Sequence, residues 1–109
     1  MDANMTGASD NTGVGNYSAS GLTSGDFNVC LGSASGQIIS TGSSNTCIGF
    51  AAGDAIEDAG SMVLVGQNAG GAIDHTHADG TVCVGTSAGA ALTSGQGNVA
   101  IGYQALDAA

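Results

Sequence analysis

The chain has no lysine and no arginine, against nine aspartate and glutamate residues, and its formal net charge is −9. Proteins hold phosphate groups chiefly through cationic side chains, and a chain with this charge repels polyanions. Nucleic acid is therefore not expected as a partner, and anionic membrane surfaces are disfavoured for the same reason. Membrane insertion is not expected either, because no run approaches the roughly 20 apolar residues of a membrane-spanning helix.

Proline and tryptophan are also absent, and aromatic residues make up only 4% of the 109 residues. Any hydrophobic core must therefore be thin and filled by Val, Ile, Leu, Ala and Cys. Glycine, by contrast, occurs 20 times, well above its usual share of about 7%. Because the collagen triplet is missing, these glycines indicate fixed turn positions in a longer repeat.

A glycine follows a short apolar triplet at intervals of 17, 17, 17, 19 and 17 residues. A fixed period of this length is typical of stacked coils. The abundant alanine suggests an amphipathic helix as an alternative, but the frequent glycines and the scarcity of charged helix formers disfavour it. We predict that residues 1–109 form a single all-β domain, a parallel β-solenoid of about six 17-residue coils with two short strands in each. The repeating glycines are Gly15, Gly32, Gly49, Gly66, Gly85 and Gly102.

Positions in each coil are counted from this repeating glycine, and residues at the same position in successive coils form a column. The columns one and three before the glycine are mostly β-branched and share one face of a strand, because strand side chains alternate. We expect them to line the coil interior. An apolar column seven residues after the glycine should close the interior from the opposite wall: Leu22, Ile39, Ile56, Ile73 and Leu92.

The column that lies two residues before the glycine should then face outward, yet its side chains carry no charge and no hydroxyl group. A strand that is apolar on both faces is usually covered on both. A second copy of the chain is the expected cover, so this column is predicted as the oligomer contact. The alternative is that the two faces are exchanged and this column is the core. The predicted contact residues are Cys30, Cys47, Leu64, Cys83 and Ala100.

Cys30 and Cys47 fall on neighbouring coils, within possible disulfide range, whereas Cys83 lies two coils beyond Cys47. The odd cysteine count favours buried small apolar residues over a structural disulfide. No cysteine or histidine spacing indicates zinc.

Asparagine recurs four residues before the glycine, where Met62 and Thr81 replace it in two coils. Stacked asparagines at a turn can hydrogen-bond to one another and to the backbone. We therefore predict an asparagine ladder. The asparagines are Asn11, Asn28, Asn45 and Asn98.

The residues three positions after the glycine are small. Such residues fit a wall where backbone layers approach closely.

The phrases "NVAIGYQAL", "NTCIGFAAG" and "GQNAG" resemble the repeats of bacteriophage tail fibre proteins and, more distantly, those of trimeric autotransporter adhesin heads. The resemblance covers about residues 11–106. It implies a left-handed parallel β-roll in a homotrimer, with a role as a stiff shaft or an adhesive surface. It also implies that Val29, Leu31, Val99 and Ile101 are core positions, whereas Cys30 and Ala100 approach the trimer axis.

The 19-residue interval contains "DHTHAD", Asp74 to Asp79, which holds both histidines. If the segment is extended, His75 and His77 project to one side, and an HxH pair from three chains would surround a transition metal. Insertions in solenoids usually bulge outward, however, so we favour a solvated loop. The cluster of Asp54, Glu57 and Asp58 likewise indicates a solvated rim rather than a calcium site.

No motif supplies a catalytic set, a phosphate loop or a cofactor site, so no cofactor is expected. A threonine-rich ice-binding face is disfavoured, because the column that lies three residues before the glycine has only two threonines, Thr12 and Thr46, and is expected to face the core.

The sequence predicts a non-enzymatic structural protein, extracellular or on a virion surface. Its expected partner is itself, in a trimer or an end-to-end filament. The alternative is a segment that binds a host surface receptor or glycan.

Overall fold

A computed structural model of the chain describes residues 7–73, 78–93 and 95–107. These residues form an all-β solenoid of about 5 turns, so the predicted fold class is confirmed. Six parallel strands form one sheet, in which neighbours in sequence are neighbours in space. The molecule measures 36 × 24 × 16 Å. The strands are β1 (Thr12–Val14), β2 (Val29–Leu31), β3 (Thr46–Ile48), β4 (Val63–Val65), β5 (Val82–Val84) and β6 (Val99–Ile101).

The glycine after each strand lets the chain turn away from the sheet while the coils stay in contact. Gly15 has a φ of 129°, a conformation that other residues rarely adopt. A Cβ atom there would lie 2.6 Å from the carbonyl carbon of Gly32 in the next coil. The same close approach recurs at Gly32, Gly49, Gly66 and Gly85. Any side chain at these positions would therefore strain the backbone and push the coils apart.

Tight turns build the rest of each coil, in place of the predicted second strand. In the first coil, the Ser18 N–H donates to the Gly15 carbonyl at 3.2 Å, and the Ser20 N–H donates to the Tyr17 carbonyl at 3.4 Å. Tyr17 and Ala19 have φ angles of 59° and 50°, as the third residue of a type II turn requires. Left-handed residues at alternate positions bend this wall too sharply for an extended strand.

The turns are nevertheless bonded to both neighbouring coils. The Ala34 N–H donates to the Asn16 carbonyl of the preceding coil at 2.9 Å, and the Gly36 N–H donates to the Ala52 carbonyl of the following coil at 2.9 Å. Every buried side-chain nitrogen or oxygen in the described residues also has a hydrogen-bond partner. The wall of turns therefore satisfies its polar groups as a sheet would.

The central residue of each strand points into the coil, which corrects the predicted orientation of the two strand faces. The residues predicted as the oligomer contact are at most 2% exposed. The prediction that they face outward, with the Val and Ile columns inside, is wrong, and the exchanged arrangement is observed. A three-residue strand directs one side chain inward and two outward, and the turn columns fill the remaining interior. The inward residues are Cys30, Cys47, Leu64, Cys83 and Ala100.

The opposite wall contributes the column seven after the glycine, as predicted. Four of its members are at most 1% exposed, and Leu92 is partly buried against the same core. The small residues three after the glycine are also buried, except that Ala105 in the last coil is partly buried. Among them, the Ser18 and Ser35 hydroxyls donate to the carbonyls of Cys30 and Cys47, at 2.7 and 2.6 Å. In the column seven after the glycine, the four fully buried residues are Leu22, Ile39, Ile56 and Ile73.

The predicted asparagine ladder forms at the turn before the sheet for Asn11, Asn28 and Asn45, whereas the Asn98 side chain bonds within its own turn. The Oδ1 atom of Asn11 accepts from the backbone N–H of Asn28 at 2.8 Å, and Oδ1 of Asn28 accepts from that of Asn45 at 3.0 Å. The Nδ2 atom of Asn45 donates to the Ala59 carbonyl at 2.9 Å. Met62 ends the run of side chains, although its N–H still donates to Oδ1 of Asn45 at 3.2 Å. The ladder therefore joins four consecutive coils.

Candidate functional site

The outer face of the six-stranded sheet is a continuous apolar surface. It consists of the residues one and three before each repeating glycine, and we call it the sheet face. Ten of its twelve side chains are aliphatic, two are threonine, and none is charged. Exposure is large on the outermost strands, where Val14, Val99 and Ile101 are 62%, 64% and 65% exposed. The sheet face comprises Thr12, Val14, Val29, Leu31, Thr46, Ile48, Val63, Val65, Val82, Val84, Val99 and Ile101.

The position of this surface follows from the inward orientation of the central strand residues. The residues that the family resemblance implies as core, Val29, Leu31, Val99 and Ile101, all lie on the sheet face. Thr12 and Thr46 also face outward, contrary to the expectation that their column faces the core. Two threonines among twelve residues still do not form the threonine array of an ice-binding face. The surface is therefore best described as aliphatic.

Glycines on the opposite wall leave room for the inward strand residues. A Cβ atom at Gly36 would lie 2.6 Å from Sγ of Cys30, and one at Gly53 would lie 2.9 Å from Sγ of Cys47. Real Cβ atoms essentially never approach other atoms so closely. The inward column therefore fits the coil because the position four after the repeating glycine carries no side chain in these coils.

The two end coils show the reverse relation. Where the inward strand residue is Gly13, the opposite position holds Ala19, and where it is Ala100, the opposite position holds Leu106. A small residue on the sheet wall thus stands opposite a larger one, although Leu106 in the last coil is 44% exposed. The sequence-based prediction missed this pairing. The inverse size relation between positions two before and four after the glycine indicates the core face once these two positions are known to face each other across the coil.

Cys30 and Cys47 are in-register neighbours on β2 and β3, and both are 0% exposed. Their thiols hydrogen-bond to each other, which lowers the pKa of Cys30. The same bond, together with burial, raises the pKa of Cys47 well above its usual range. Cys83 has Leu64 and Ala100 as its sheet neighbours, and burial raises the pKa of its thiol. All three thiols are free and lie inside the coil.

The acidic residues of the third coil do not gather around a shared point. Burial raises the pKa of the Asp54 carboxyl, and a hydrogen bond from its own backbone partly offsets that effect. Glu57 and Asp58 are exposed. Among residues 7–73, 78–93 and 95–107, no group of three or more His, Cys, Asp or Glu side chains is placed to hold a metal ion.

The "DHTHAD" segment is described only at its C-terminal end. Asp79 uses its Oδ1 atom to accept a hydrogen bond from the Gly60 N–H at 2.8 Å. It therefore contributes to the contact between coils. Asp74, His75 and His77 lie outside the described residues, so both the metal-binding hypothesis and the preferred solvated loop stay predictions.

Aromatic side chains project from the turns and not from the sheet face. Tyr103 is 74% exposed, and Tyr17, Phe27 and Phe50 are 61%, 60% and 57% exposed.

The described part of the chain contains no pocket. Nor does it contain a helix with the length and apolar character needed to cross a membrane. The regular features available for function are therefore the sheet face, the turns and the stacked coils themselves.

Comparisons of the chain with protein-family models, with curated proteins and with solved structures found no match.

Proposed function

We propose that this chain is a non-enzymatic structural repeat protein that builds a fibre or filament by homo-oligomerisation. The sheet face carries the proposal: twelve outward side chains, ten of them aliphatic, with no charged residue among them. A contiguous aliphatic surface without charge is a candidate contact between protein chains. The cover that we assign to it is the sheet face of other copies of the chain.

The distribution of charge supports self-association at this face. With no lysine or arginine and a net charge of −9, two copies repel each other over most orientations. Described acidic residues such as Asp26, Asp54 and Glu57 lie in the turns. Contact between sheet faces therefore buries aliphatic side chains without bringing carboxylates directly together.

The size of the face favours an assembly of many coils. Six strands at a spacing of about 4.8 Å span roughly 24 Å, and a three-residue strand is about 10 Å long. A face of roughly 240 Å² is small beside the ~800 Å² that a stable interface buries per partner. Each added coil enlarges the contact, so lateral association and end-to-end stacking strengthen each other.

Two further features agree with a fibre. Parallel pairing continues in register from β1 to β6, and the same pairing between copies would extend the solenoid end to end. The repeats also resemble those of phage tail fibres, which implies trimers on a virion or cell surface. The assembly that we propose is a trimeric shaft, an end-to-end filament, or a combination of both.

The test combines light scattering with negative-stain microscopy of the 109-residue chain. We expect discrete trimers or long filaments. Val65→Glu places a carboxylate at the centre of the sheet face without entering the coil, so it should weaken lateral association at least roughly tenfold, because an unpaired charge is costly to bury. Circular dichroism should show that the solenoid is retained.

Gln67→Glu is the matched control, because it adds the same charge on the same coil at an exposed position beyond Gly66. It should leave lateral association nearly unchanged. If the unmodified chain remains a monomer at every concentration, or if both variants behave alike, the sheet face is not the assembly surface.

A second candidate function is binding of a host receptor or glycan. The exposed turn aromatics favour it, since such rings present an apolar surface beside polar groups. A glycan array probed with the assembled protein tests this candidate, and uniform absence of binding would count against a glycan ligand.

A further inference from the structure

The pairing of Cys30 with Cys47 places two thiols side by side at the centre of the coil stack. The residues are direct partners in the parallel register of β2 and β3. Adjacent strands lie about 4.8 Å apart, which falls within the Cα separation of about 4.4–6.8 Å found across disulfides. Both side chains point into the same interior, so side-chain rotation with a small backbone adjustment can bring the two sulfur atoms within bonding distance.

Glycines face the pair across the coil and admit its two sulfur atoms. Gly36 and Gly53 occupy the opposite wall, and a Cβ atom at either would lie within 2.9 Å of the facing cysteine Sγ. Both thiols are 0% exposed and pack in the hydrophobic core of the coil. A disulfide is uncharged, as the thiols are, so oxidation places no charge in the coil interior.

We propose that Cys30 and Cys47 form a redox-sensitive modification site, at which oxidation creates an intrachain disulfide that joins the second and third coils. The reduced pair is the state seen in the structure. The bridge closes a loop that spans one repeat of the solenoid, and so it fastens adjacent coils without altering the sheet face.

The reaction is a thiol–disulfide exchange with a low-molecular-weight disulfide as the oxidant. The Cys30 sulfur loses its proton to solvent, attacks one sulfur of the small disulfide and releases a small thiolate. The Cys47 sulfur then loses its proton and attacks Sγ of Cys30, which releases the second small thiolate. Both protein thiols are oxidised, the S–S bond of the oxidant is broken, and the small thiolates take up the two protons. Because the closed coil excludes the oxidant, exchange occurs while the two coils are open, as during folding.

Cys83 provides the internal comparison. It lies on β5, two strands from Cys47 and three from Cys30, which corresponds to roughly 10 and 14 Å. No disulfide spans such distances without disruption of the coil. The third thiol should therefore stay reduced within a single folded chain.

The experiment refolds the reduced, unfolded chain in a mixture of reduced and oxidised glutathione at high dilution. In Cys83→Ala, we expect the mass to fall by roughly 2 Da with no thiol left to alkylate after unfolding. The melting temperature should rise by roughly 10 °C relative to the reduced protein, because the bridge restricts the unfolded chain. Peptide mapping of the unsubstituted chain should identify the Cys30–Cys47 cross-link.

Cys47→Ala is the matched control, since it also keeps two buried cysteines but separates them by three strands. It should retain two alkylatable thiols and show no rise in melting temperature. The proposal fails if Cys83→Ala also retains both thiols, carries glutathione on them, or forms only intermolecular bridges. Covalent mass is measured on single chains, so this outcome is independent of whether fibres form.

Discussion

Leu64, at the centre of β4, occupies the space that Gly70 leaves open on the opposite wall of the same coil. A Cβ atom at Gly70 would lie 2.8 Å from Cδ2 of Leu64. Gly70 also has a φ of 59°, in the left-handed region. This relationship sets the width of the coil, because the wall of turns approaches the sheet closely only where one of the two facing residues is small.

Gly70→Ala should therefore destabilise the solenoid by about 2–4 kcal/mol. Roughly 1 kcal/mol arises from the left-handed backbone, and the remainder arises from overpacking against Leu64. Urea unfolding followed by circular dichroism measures the loss. Gly80→Ala is the control for the backbone contribution alone, because Gly80 has a φ of 76° and a Cβ atom added there would meet nothing within 4 Å.

Leu64→Ala combined with Gly70→Ala tests the pairing itself. Each single change should be costly, the first through a cavity and the second through a clash. The double variant should be less destabilised than the sum of the two by about 1–2 kcal/mol. Strict additivity would show that the two residues do not share one space.

Asn45→Ala should cost about 3 kcal/mol. The Asn45 side chain is 0% exposed and bonds the Ala59 carbonyl and the Met62 N–H, at 2.9 and 3.2 Å. Its removal leaves both groups without that partner in the interior, and a buried group without a partner costs about 1–3 kcal/mol. The exposed Asn16 is the control, and Asn16→Ala should change the urea midpoint only slightly. Equal effects at the two positions would contradict a structural ladder.

Acidification should stabilise the folded chain, in contrast to proteins that lose salt bridges at low pH. Burial raises the pKa of Asp54 in the folded state, so the folded chain binds more protons than the unfolded chain as the pH falls toward this pKa. Stability therefore rises as the pH falls from neutral through the folded-state pKa of Asp54, and the gain is complete below the ordinary Asp pKa of about 3.9. Partial neutralisation of the net charge of −9 acts in the same direction.

Asp54→Asn should flatten the pH dependence of the urea midpoint and raise that midpoint near neutral pH. Glu57→Gln, at an exposed position in the same coil, removes one charge as well and serves as the control. If the two variants show the same slope against pH, burial of the Asp54 carboxyl does not contribute.

The repeat and its strand positions could be predicted from the sequence because their causes are local. A glycine is needed wherever the chain turns with φ near 130° against the next backbone, as at Gly15 and Gly49, and this need recurs in every coil. The asparagine ladder was predictable for the same reason, since Asn28 and Asn45 occupy equivalent turns. The absence of a second strand was not predicted, because Tyr17 and Ala19 adopt left-handed conformations that their residue types do not signal.

The choice of the inner strand face was decided only by the tertiary structure. Alternation determines that Val29 and Leu31 share one side of β2 and that Cys30 lies on the other, but both sides are apolar, and hydrophobicity alone does not distinguish them. The opposite wall makes the distinction, because the space before Gly36 admits one inward side chain, such as that of Cys30. The sequence by itself therefore determined a coil with a repeating apolar strand, whereas packing across the coil decided which residues form the core and which form the surface.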